Sequence, residues 1–133
     1  MDSYNVSEQP GAYAGLLPVK ADSVISDGGM VAVDASGDAQ DAVSTVTGYV
    51  AGISDGGADN TGGAAGDVNV KVKRGVYKFQ LDATNPPTKA DLGAKVYAIT
   101  PDTVANAGTC KAGTLIGFDA LGLAIVDTNQ ANL

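Results

Sequence analysis

The chain has 133 residues, of which 44% are hydrophobic, and 15 acidic against 8 basic side chains give a formal net charge of -7. This length fits one domain that buries about two-thirds of its unfolded surface and folds without cross-links. The excess of carboxylates repels a phosphate backbone, which argues against nucleic acid as a partner. The single cysteine excludes an intrachain disulfide, and the lack of histidine removes the commonest general base and a common metal ligand.

The sequence carries no apolar stretch typical of export or of a membrane. The first residues, MDSYNVSEQPG, contain neither a basic nor a continuous apolar segment, and the longest later apolar run, around Leu121 to Val126, is far shorter than a spanning helix. We therefore expect synthesis in the cytoplasm, no standard export signal and no membrane partner.

Residues 1–18 differ from the rest of the chain. They mix apolar side chains with Pro10, Gly11, Gly15 and Pro18, and they show neither helical nor strand periodicity. We expect a flexible N-terminal arm here, and the alternative is a frayed terminus without a role.

Short strands are predicted between residues 19 and 53, where β-branched side chains alternate with turn residues. The predicted strands are Val19 to Ala21, Met30 to Val33 and one in STVTGYVAGI from Ser44. The turn Ser26-Asp27-Gly28-Gly29 separates the first two, and the same four residue types recur at Ser54 to Gly57. Residues 54–66 are rich in glycine and predict a mobile loop.

The clearest alternation follows between residues 68 and 81. The side chains predicted to face inward are Val68, Val70, Val72, Tyr77, Phe79 and Leu81. Those predicted to face outward are Asn69, Lys71, Lys73, Val76, Lys78 and Gln80. Either two half-buried antiparallel strands or one strand bent by a bulge at Arg74-Gly75 fits this pattern.

The last third of the chain predicts one short helical turn and further strands. Thr88 is a suitable N-cap for a helical turn over Lys89 to Leu92 that ends at Gly93. The predicted strands are Val96 to Thr100, Thr114 to Phe118 and Leu123 to Val126, with a hairpin turn at Asp119 to Gly122. The pattern indicates an all-β fold, a small barrel or sandwich of short antiparallel strands, with a domain over residues 19–127 and a C-terminal tail over 128–133.

Candidate catalytic and metal-binding residues are few. Asp34, Asp38 and Asp41 lie in a polar segment where nothing apolar raises a pKa, so a solvated loop explains them better than paired catalytic carboxylates. Cys110 has no histidine to activate it, and we expect an inert thiol. The stretch GGAAGDVNV from Gly62 resembles calcium-binding turns but lacks their spacing and repeats. We therefore expect no enzyme activity, no cofactor and no metal.

Basic residues cluster in one part of the chain. Four of the eight lie within eight positions, at Lys71, Lys73, Arg74 and Lys78. A solvated strand face, or protection of an exposed strand edge, is one explanation. The functional alternative is a basic contact patch for an acidic partner, either another copy of the chain or the surface of an assembly.

Several boxes resemble the small head decoration proteins of tailed bacteriophages, also called capsid cement or stabilising proteins, of the lambda-like kind. These boxes are GYVAGI from Gly48, VKVKRGVYKF from Val70, ADLGAKVYAI from Ala90 and LIGFDALGLAIVDT from Leu115. The resemblance covers about residues 19–127.

The resemblance implies a compact β-rich virion protein that assembles as a homotrimer. It implies binding to the major capsid protein on the outer surface of the expanded capsid, where the trimer bridges neighbouring subunits. An N-terminal arm would order on the shell and add backbone hydrogen bonds to a capsid strand. The candidate capsid-binding residues of that arm are Tyr4, Val6, Tyr13, Leu16 and Leu17.

Two other functions are considered. A phage head fibre or adhesin-like module could contact a host glycan or surface protein through the loop at residues 54–66, although the chain has no tryptophan and only two phenylalanines and five tyrosines for sugar stacking. A biotin or lipoate carrier would need a lysine at a hairpin tip, and neither Lys73, Lys89 nor Lys95 lies in a suitable sequence box.

Overall fold

The computed structural model describes residues 13–131, and in that range its regular secondary structure is almost entirely β-strand. The strands are β1 (Tyr13–Pro18), β2 (Val24–Ile25), β3 (Met30–Asp34), β4 (Ala39–Asp41), β5 (Gly48–Ser54), β6 (Ala58–Asp59), β7 (Asn69–Arg74), β8 (Val76–Leu81), β9 (Lys95–Thr100), β10 (Thr103–Ala105), β11 (Cys110–Phe118) and β12 (Ala124–Asp127). Two 3-10 turns cover Lys89–Asp91 and Thr128–Gln130. The predicted all-β class is confirmed.

The C-terminal half forms a closed five-stranded barrel. Its strands pair in the ring β8, β12, β11, β9, β10 and back to β8. The β8–β10 pair is parallel and the other four are antiparallel, which departs from the predicted purely antiparallel arrangement. Bulges in β11 bend this long strand around the ring. Gly113 lies at one bulge with a φ of 145°, and a Cβ there would overlap the carbonyl oxygen of Asp127.

A second sheet is attached to one side of the barrel. It has the order β1-β7-β5-β3-β4, and β5 joins it to the barrel by pairing in parallel with the start of β11. Val19, directly after β1, forms a bridge with Ala39 of β4, so the outer sheet curls until its two ends meet. Strands β2 and β6 form a separate two-stranded ribbon, the β2–β6 ribbon.

Two hydrophobic clusters fill these layers. The barrel cluster contains Met30, Ala32, Ala42, Val46, Val50, Phe79, Val96, Ala98, Val104, Cys110, Ala112, Leu115, Ala124, Val126 and Ala131. The outer cluster contains Val19, Ile25, Val31, Val33, Ala39, Ala51, Val70 and Val72. Alternate residues of β3 belong to different clusters, because successive side chains of a strand point to opposite faces. Strand β3 is therefore shared between the two layers.

The predicted alternation between residues 68 and 81 is confirmed. Val70, Val72 and Phe79 are buried, while Lys71 and Lys73 are exposed. Strands β7 and β8 pair with different neighbours, β7 with β1 and β5, and β8 with β12 and β10. The chain thus passes from the outer sheet into the barrel at Arg74-Gly75, in agreement with the bent strand rather than with a hairpin.

The predicted helical turn and hairpin turn are both present. The Asp91 carboxylate accepts hydrogen bonds from the backbone N–H and the hydroxyl of Thr88, and Gly93 follows the turn with a φ of 82°. Between β11 and β12, the Asp119 carboxylate accepts the backbone N–H groups of Leu121 and Leu123. These local patterns are set by capping chemistry, which the sequence shows directly.

Other local predictions are wrong. Residues 19–21 form no strand apart from the bridge at Val19, and β2, β4, β6 and β10 were not predicted. The glycine-rich loop is held in place by Asn60, which is 3% exposed and whose amide donates to the carbonyls of Val19, Lys20 and Ala64. Isolated bridges and long-range amide contacts leave no periodic signal in the sequence.

Both predicted flanking segments extend into the fold. Residues 13–18, assigned to the arm, form β1 and pair with β7, so that any arm preceding the sheet comprises residues 1–12, outside the described range. In the predicted C-terminal tail, Thr128 is 1% exposed and its hydroxyl donates to the carbonyl of Gly75. Among the helices of residues 13–131, none has the length and apolar character needed to cross a membrane.

Candidate contact surfaces

The structure places part of the predicted capsid-binding arm. Tyr4 and Val6 lie outside the described residues, and Tyr13 begins β1 with its Cα opposite that of Arg74. Leu16 is 67% exposed, whereas Leu17 is half-buried and packs against the outer cluster. On β1, Leu16 is therefore available to a partner and Leu17 anchors the strand.

The predicted basic patch is divided between the outer sheet and the barrel, and three of its four side chains lie near a carboxylate. The Lys71 and Lys73 ammonium groups lie 3.5 and 3.6 Å from one Asp55 carboxylate oxygen. Lys78 lies on the barrel, with its ammonium 3.5 Å from a carboxylate oxygen of Asp119. The backbone N–H of Leu123 is the main cause of a lowered Asp119 pKa, and Lys78 lowers it further.

Arg74, the fourth residue of the patch, donates from Nε to the carbonyl of Ala51 at 3.4 Å. Its guanidinium therefore contacts the adjacent strand β5 of the outer sheet. Three of the four basic side chains therefore lie on the outer sheet, and Lys78 lies on the barrel.

The candidate acidic residues belong to turns. Asp34 accepts the backbone N–H groups of Ser36 and Asp38 and the side-chain amide of Gln40, which closes the turn between β3 and β4. Asp41 accepts from the backbone N–H and the hydroxyl of Ser26. These hydrogen bonds stabilise the outer sheet and its connection to β2.

The Cys110 thiol lies in the barrel cluster. Cys110 is fully buried, and burial raises its pKa from 9.0 to about 11. A thiol with this pKa is almost fully protonated near neutral pH, and the thiolate is the reactive form. This environment agrees with the inert thiol expected from the sequence.

The glycine-rich stretch from Gly62 is organised by hydrogen bonds within the loop. The Asp67 carboxylate accepts the backbone N–H of Ala64 at 2.9 Å. A Cβ at Gly63 would overlap the Asn60 amide oxygen. The lack of a side chain at Gly63 therefore allows the Asn60 side chain to pack against the backbone of the loop. Across residues 13–131, no group of three or more histidine, cysteine or acidic residues is arranged to hold a metal ion.

A different surface was missed by the sequence analysis. Lys111 of β11 pairs with Tyr49 of β5 on one side and with Tyr97 of β9 on the other. Directly paired residues of neighbouring strands share a face, so a lysine lies between two tyrosines. Lys111 is exposed and both tyrosines are half-buried. We call Tyr49, Lys111, Tyr97 and the nearby Lys95 the Tyr–Lys row.

An open cleft runs beside this row where the barrel meets the outer sheet. It is lined by Thr47, Gly48, Tyr49, Thr109 and Lys111. The Thr109 hydroxyl donates to the carbonyl of Val46 at 2.8 Å, and the backbone N–H of Gly48 donates to the Thr109 carbonyl at 3.3 Å. The cleft wall is therefore fixed by hydrogen bonds between β11 and the segment before β5.

Lys95 lies on the same face as Tyr97, two residues along β9. Its ammonium contacts the carbonyl of Ala131 at 3.5 Å. Burial lowers the pKa of Lys95, and the nearby Lys111 charge lowers it further. The two positive charges therefore repel each other.

The sequence contains half of the signal for this row. Lys95 and Tyr97 alternate with the buried Val96 and Ala98, which predicts an outward face. The third strand of the row comes from Tyr49, more than 40 positions earlier in the chain, and only the tertiary pairing of β5 with β11 reveals it.

Comparison with known proteins adds no relative. No family model matches this chain, and the searches of curated proteins and of solved structures return no match. The resemblance to phage head decoration proteins therefore depends on the sequence boxes described above.

Proposed function

We propose that this protein is a non-enzymatic virion structural protein that binds the outer surface of an expanded phage capsid. It acts as a homotrimer, contacts the major capsid protein and stabilises the shell by bridging its subunits. Three identical weak contacts give a trimer avidity without a single strong site. The sequence boxes suggest this function, and the position of β1 is the structural observation that supports it best.

Strand β1 connects residues 1–12 to the edge of the outer sheet. Its register with β7 runs from Tyr13 opposite Arg74 to Pro18 opposite Asn69, while Leu16 is 67% exposed. Six paired residues fix β1 to β7, so a shell contact made by the arm is connected firmly to the folded domain. The proposed shell contacts are therefore residues before β1, with Tyr4 and Val6, together with the exposed Leu16.

Co-sedimentation with expanded, undecorated phage shells tests the proposal. The full chain is expected to saturate the shells at a ratio to the major capsid protein fixed by shell symmetry. Deletion of residues 1–12 removes the arm and leaves β1, so that shell binding is expected to fall at least tenfold, about 1.4 kcal/mol, with unchanged urea unfolding. Intact binding by the deletion variant contradicts the arm's role, and no binding of the full chain to any shell contradicts decoration.

A matched pair of substitutions tests Leu16 separately. Leu16→Ser removes an exposed apolar side chain on β1, and Leu121→Ser removes one that is 87% exposed on a barrel turn. Only the first is expected to weaken shell binding. Equal binding by both variants contradicts a contact at Leu16.

The second candidate function is a phage head-fibre or host-surface-binding module. The observation that favours it is the open cleft beside Tyr49, since tyrosines next to polar groups suit contact with a glycan or a surface protein. Sedimentation of the protein with host cells, compared with sedimentation with shells, distinguishes the two functions.

A further inference from the structure

The repeated Ser-Asp-Gly-Gly turns contain two peptide bonds that join aspartate to glycine. The first joins Asp27 to Gly28 and the second joins Asp55 to Gly56, and no other aspartate of the chain precedes a glycine. At such a bond the glycine nitrogen can attack the carboxyl carbon of the aspartate, because glycine has no side chain to block the approach. A C–N bond forms, the carboxyl oxygen leaves as water, and a succinimide ring results.

The fate of the succinimide is hydrolysis at one of its two carbonyl groups. Opening at one carbonyl restores aspartate. Opening at the other gives isoaspartate, in which the main chain runs through the side-chain β-carbon and is one atom longer. The ring closes within one chain and takes up only the water it released, so that no further reactant is needed.

In the folded chain, each of the two turns holds the glycine nitrogen of the other. The N–H of Gly28 donates to the carbonyl of Ser54 at 3.0 Å, and the N–H of Gly56 donates to the Asp27 carboxylate at 2.8 Å. A nitrogen must leave its hydrogen-bond acceptor before it can turn towards a carboxyl carbon. Local opening of the paired turns therefore controls the reaction at both bonds.

The two bonds differ in what protects them. The nitrogen of Gly28 is held by the main chain, and the Ser54 N–H donates back to the carbonyl of Gly29 at 2.8 Å. The nitrogen of Gly56 is held by one side chain, that of the exposed Asp27. Protection of the second bond therefore depends on a single carboxylate.

The aspartate of the second bond is fixed to β7 but remains open to water. The backbone N–H of Asp55 donates to the carbonyl of Lys71 at 2.9 Å, and the Lys71 and Lys73 ammonium groups lie 3.5 and 3.6 Å from one of its carboxylate oxygens. The Asp55 side chain is nevertheless 45% exposed. Water can therefore reach a succinimide formed at this position.

We propose that Asp55 is a latent site of isoaspartate formation and that the Asp27 carboxylate protects it by holding the Gly56 nitrogen. The charge of Asp27 adds to this protection, because the attacking nitrogen gains negative charge as it loses its proton and like charges repel. Asp27 itself does not react. This chemistry is independent of capsid binding.

Conversion at Asp55 is expected to open the β2–β6 ribbon. The ribbon pairs Ile25 with Ala58, shortly after Asp55 in the chain. Between them, the backbone of Gly57 lies so close to β2 that an added Cβ would be 2.7 Å from the Ile25 carbonyl oxygen. A main chain that is one atom longer does not fit this approach, so that Gly57 and Ala58 move away from β2.

Ageing of the purified full chain tests the site. Wild-type and Asp27→Ala proteins are incubated for several weeks at neutral pH, and isoaspartate is measured with protein isoaspartate methyltransferase and located by peptide mapping. The substitution frees the Gly56 nitrogen and removes the first Asp-Gly bond. Isoaspartate at Asp55 is expected to form at least about fivefold faster in the variant, since loss of a hydrogen bond to a charged group shifts local opening by that factor or more.

Control variants separate this protection from general effects of the substitution. Asp102→Ala removes an exposed carboxylate that accepts the hydroxyls of Thr100 and Thr103 in a barrel turn, and it is expected to age like the wild type. Adding Asp55→Glu to Asp27→Ala keeps the charge but lengthens the reacting side chain, and it is expected to abolish the signal. Circular dichroism checks that each variant stays folded.

Three results would overturn the site. They are a folded Asp27→Ala protein without a faster rise of isoaspartate at Asp55, an equal rise in Asp102→Ala, and a native wild-type protein that converts Asp55 as fast as the same protein unfolded in urea. The last comparison needs no variant, so it decides the matter even if Asp27→Ala does not fold. Slow conversion in the native protein and fast conversion in urea support protection by the paired turns.

Discussion

The barrel and the outer sheet differ in how their edge strands are paired. The five barrel strands lie in one continuous stretch, residues 76–127, and every strand pairs with two others of the ring. The outer sheet is assembled from β1, β3, β4, β5 and β7, and its ends meet through the single bridge of Val19 with Ala39. Ring closure removes exposed strand edges in the barrel, whereas the outer sheet depends on loop contacts to protect its ends.

The two regions are nevertheless not independent. Strand β3 supplies Met30 and Ala32 to the barrel cluster and Val31 and Val33 to the outer cluster. Loss of one cluster therefore exposes one face of a strand that the other needs. The difference in closure predicts different local stabilities, while the shared strand predicts one global unfolding transition.

The largest expected effect comes from the barrel core. Leu115 is fully buried, and Leu115→Ala is expected to lower the free energy of unfolding by about 2–5 kcal/mol through lost burial and a residual cavity. Urea unfolding followed by circular dichroism measures it. The matched control Leu121→Ala alters a side chain that is 87% exposed and should change stability by less than about 0.5 kcal/mol. Separate transitions for the two regions would refute the single cooperative unit.

A smaller and more local effect is expected at the outer sheet. Asn60→Ala removes an amide that donates to three carbonyl groups, and we expect a loss of about 1–3 kcal/mol. Hydrogen exchange should accelerate around residues 58–67 more than in β8 to β12. The control Asn106→Ala removes an exposed amide that donates to the Pro86 carbonyl at 3.5 Å. If hydrogen exchange accelerated equally in the barrel strands and in residues 58–67, ring closure would not protect the barrel from local opening.

The smallest effect is expected at the junction of the two regions. The Thr128 hydroxyl accepts from the backbone N–H of Gly75 at 3.0 Å and donates to its carbonyl at 2.6 Å. Thr128→Val keeps the shape and removes both hydrogen bonds, for an expected loss of about 1 kcal/mol. Thr128→Ser retains the hydroxyl and serves as the control in urea unfolding. A larger loss for Thr128→Ser than for Thr128→Val would assign the effect to packing of the methyl group rather than to the hydrogen bonds.

The elements predicted well from the sequence are those with local causes. The alternation from Val70 to Leu81 follows from strand geometry, and the turns at Thr88 and Asp119 follow from capping side chains. The repeated Ser-Asp-Gly-Gly residues at 26–29 and 54–57 form two turns that contact each other, since Asp27 accepts the backbone N–H of Gly56. Their proximity could not be predicted from either turn alone.

The candidate contact residues show the same division. Exposure of Lys71, Lys73 and Lys78 follows from alternation, but their ion pairs depend on the positions of Asp55 and Asp119. The Tyr–Lys row has a local signal in β9, and its other members come from β5 and β11. Periodicity in the sequence therefore predicts which charged side chains are exposed, but it does not show which of them form ion pairs.

The sequence by itself determined the all-β class, the inward and outward faces of β7 and β8, and the capped turns, because these depend on residues within a few positions of each other. Only the tertiary structure decided the ring closure of the barrel, the use of residues 13–18 as an edge strand and the position of Lys111 between two tyrosines. Those features depend on which strands pair, and pairing is selected by packing of both clusters together. Strands of similar length and composition have many possible partners until the whole core forms.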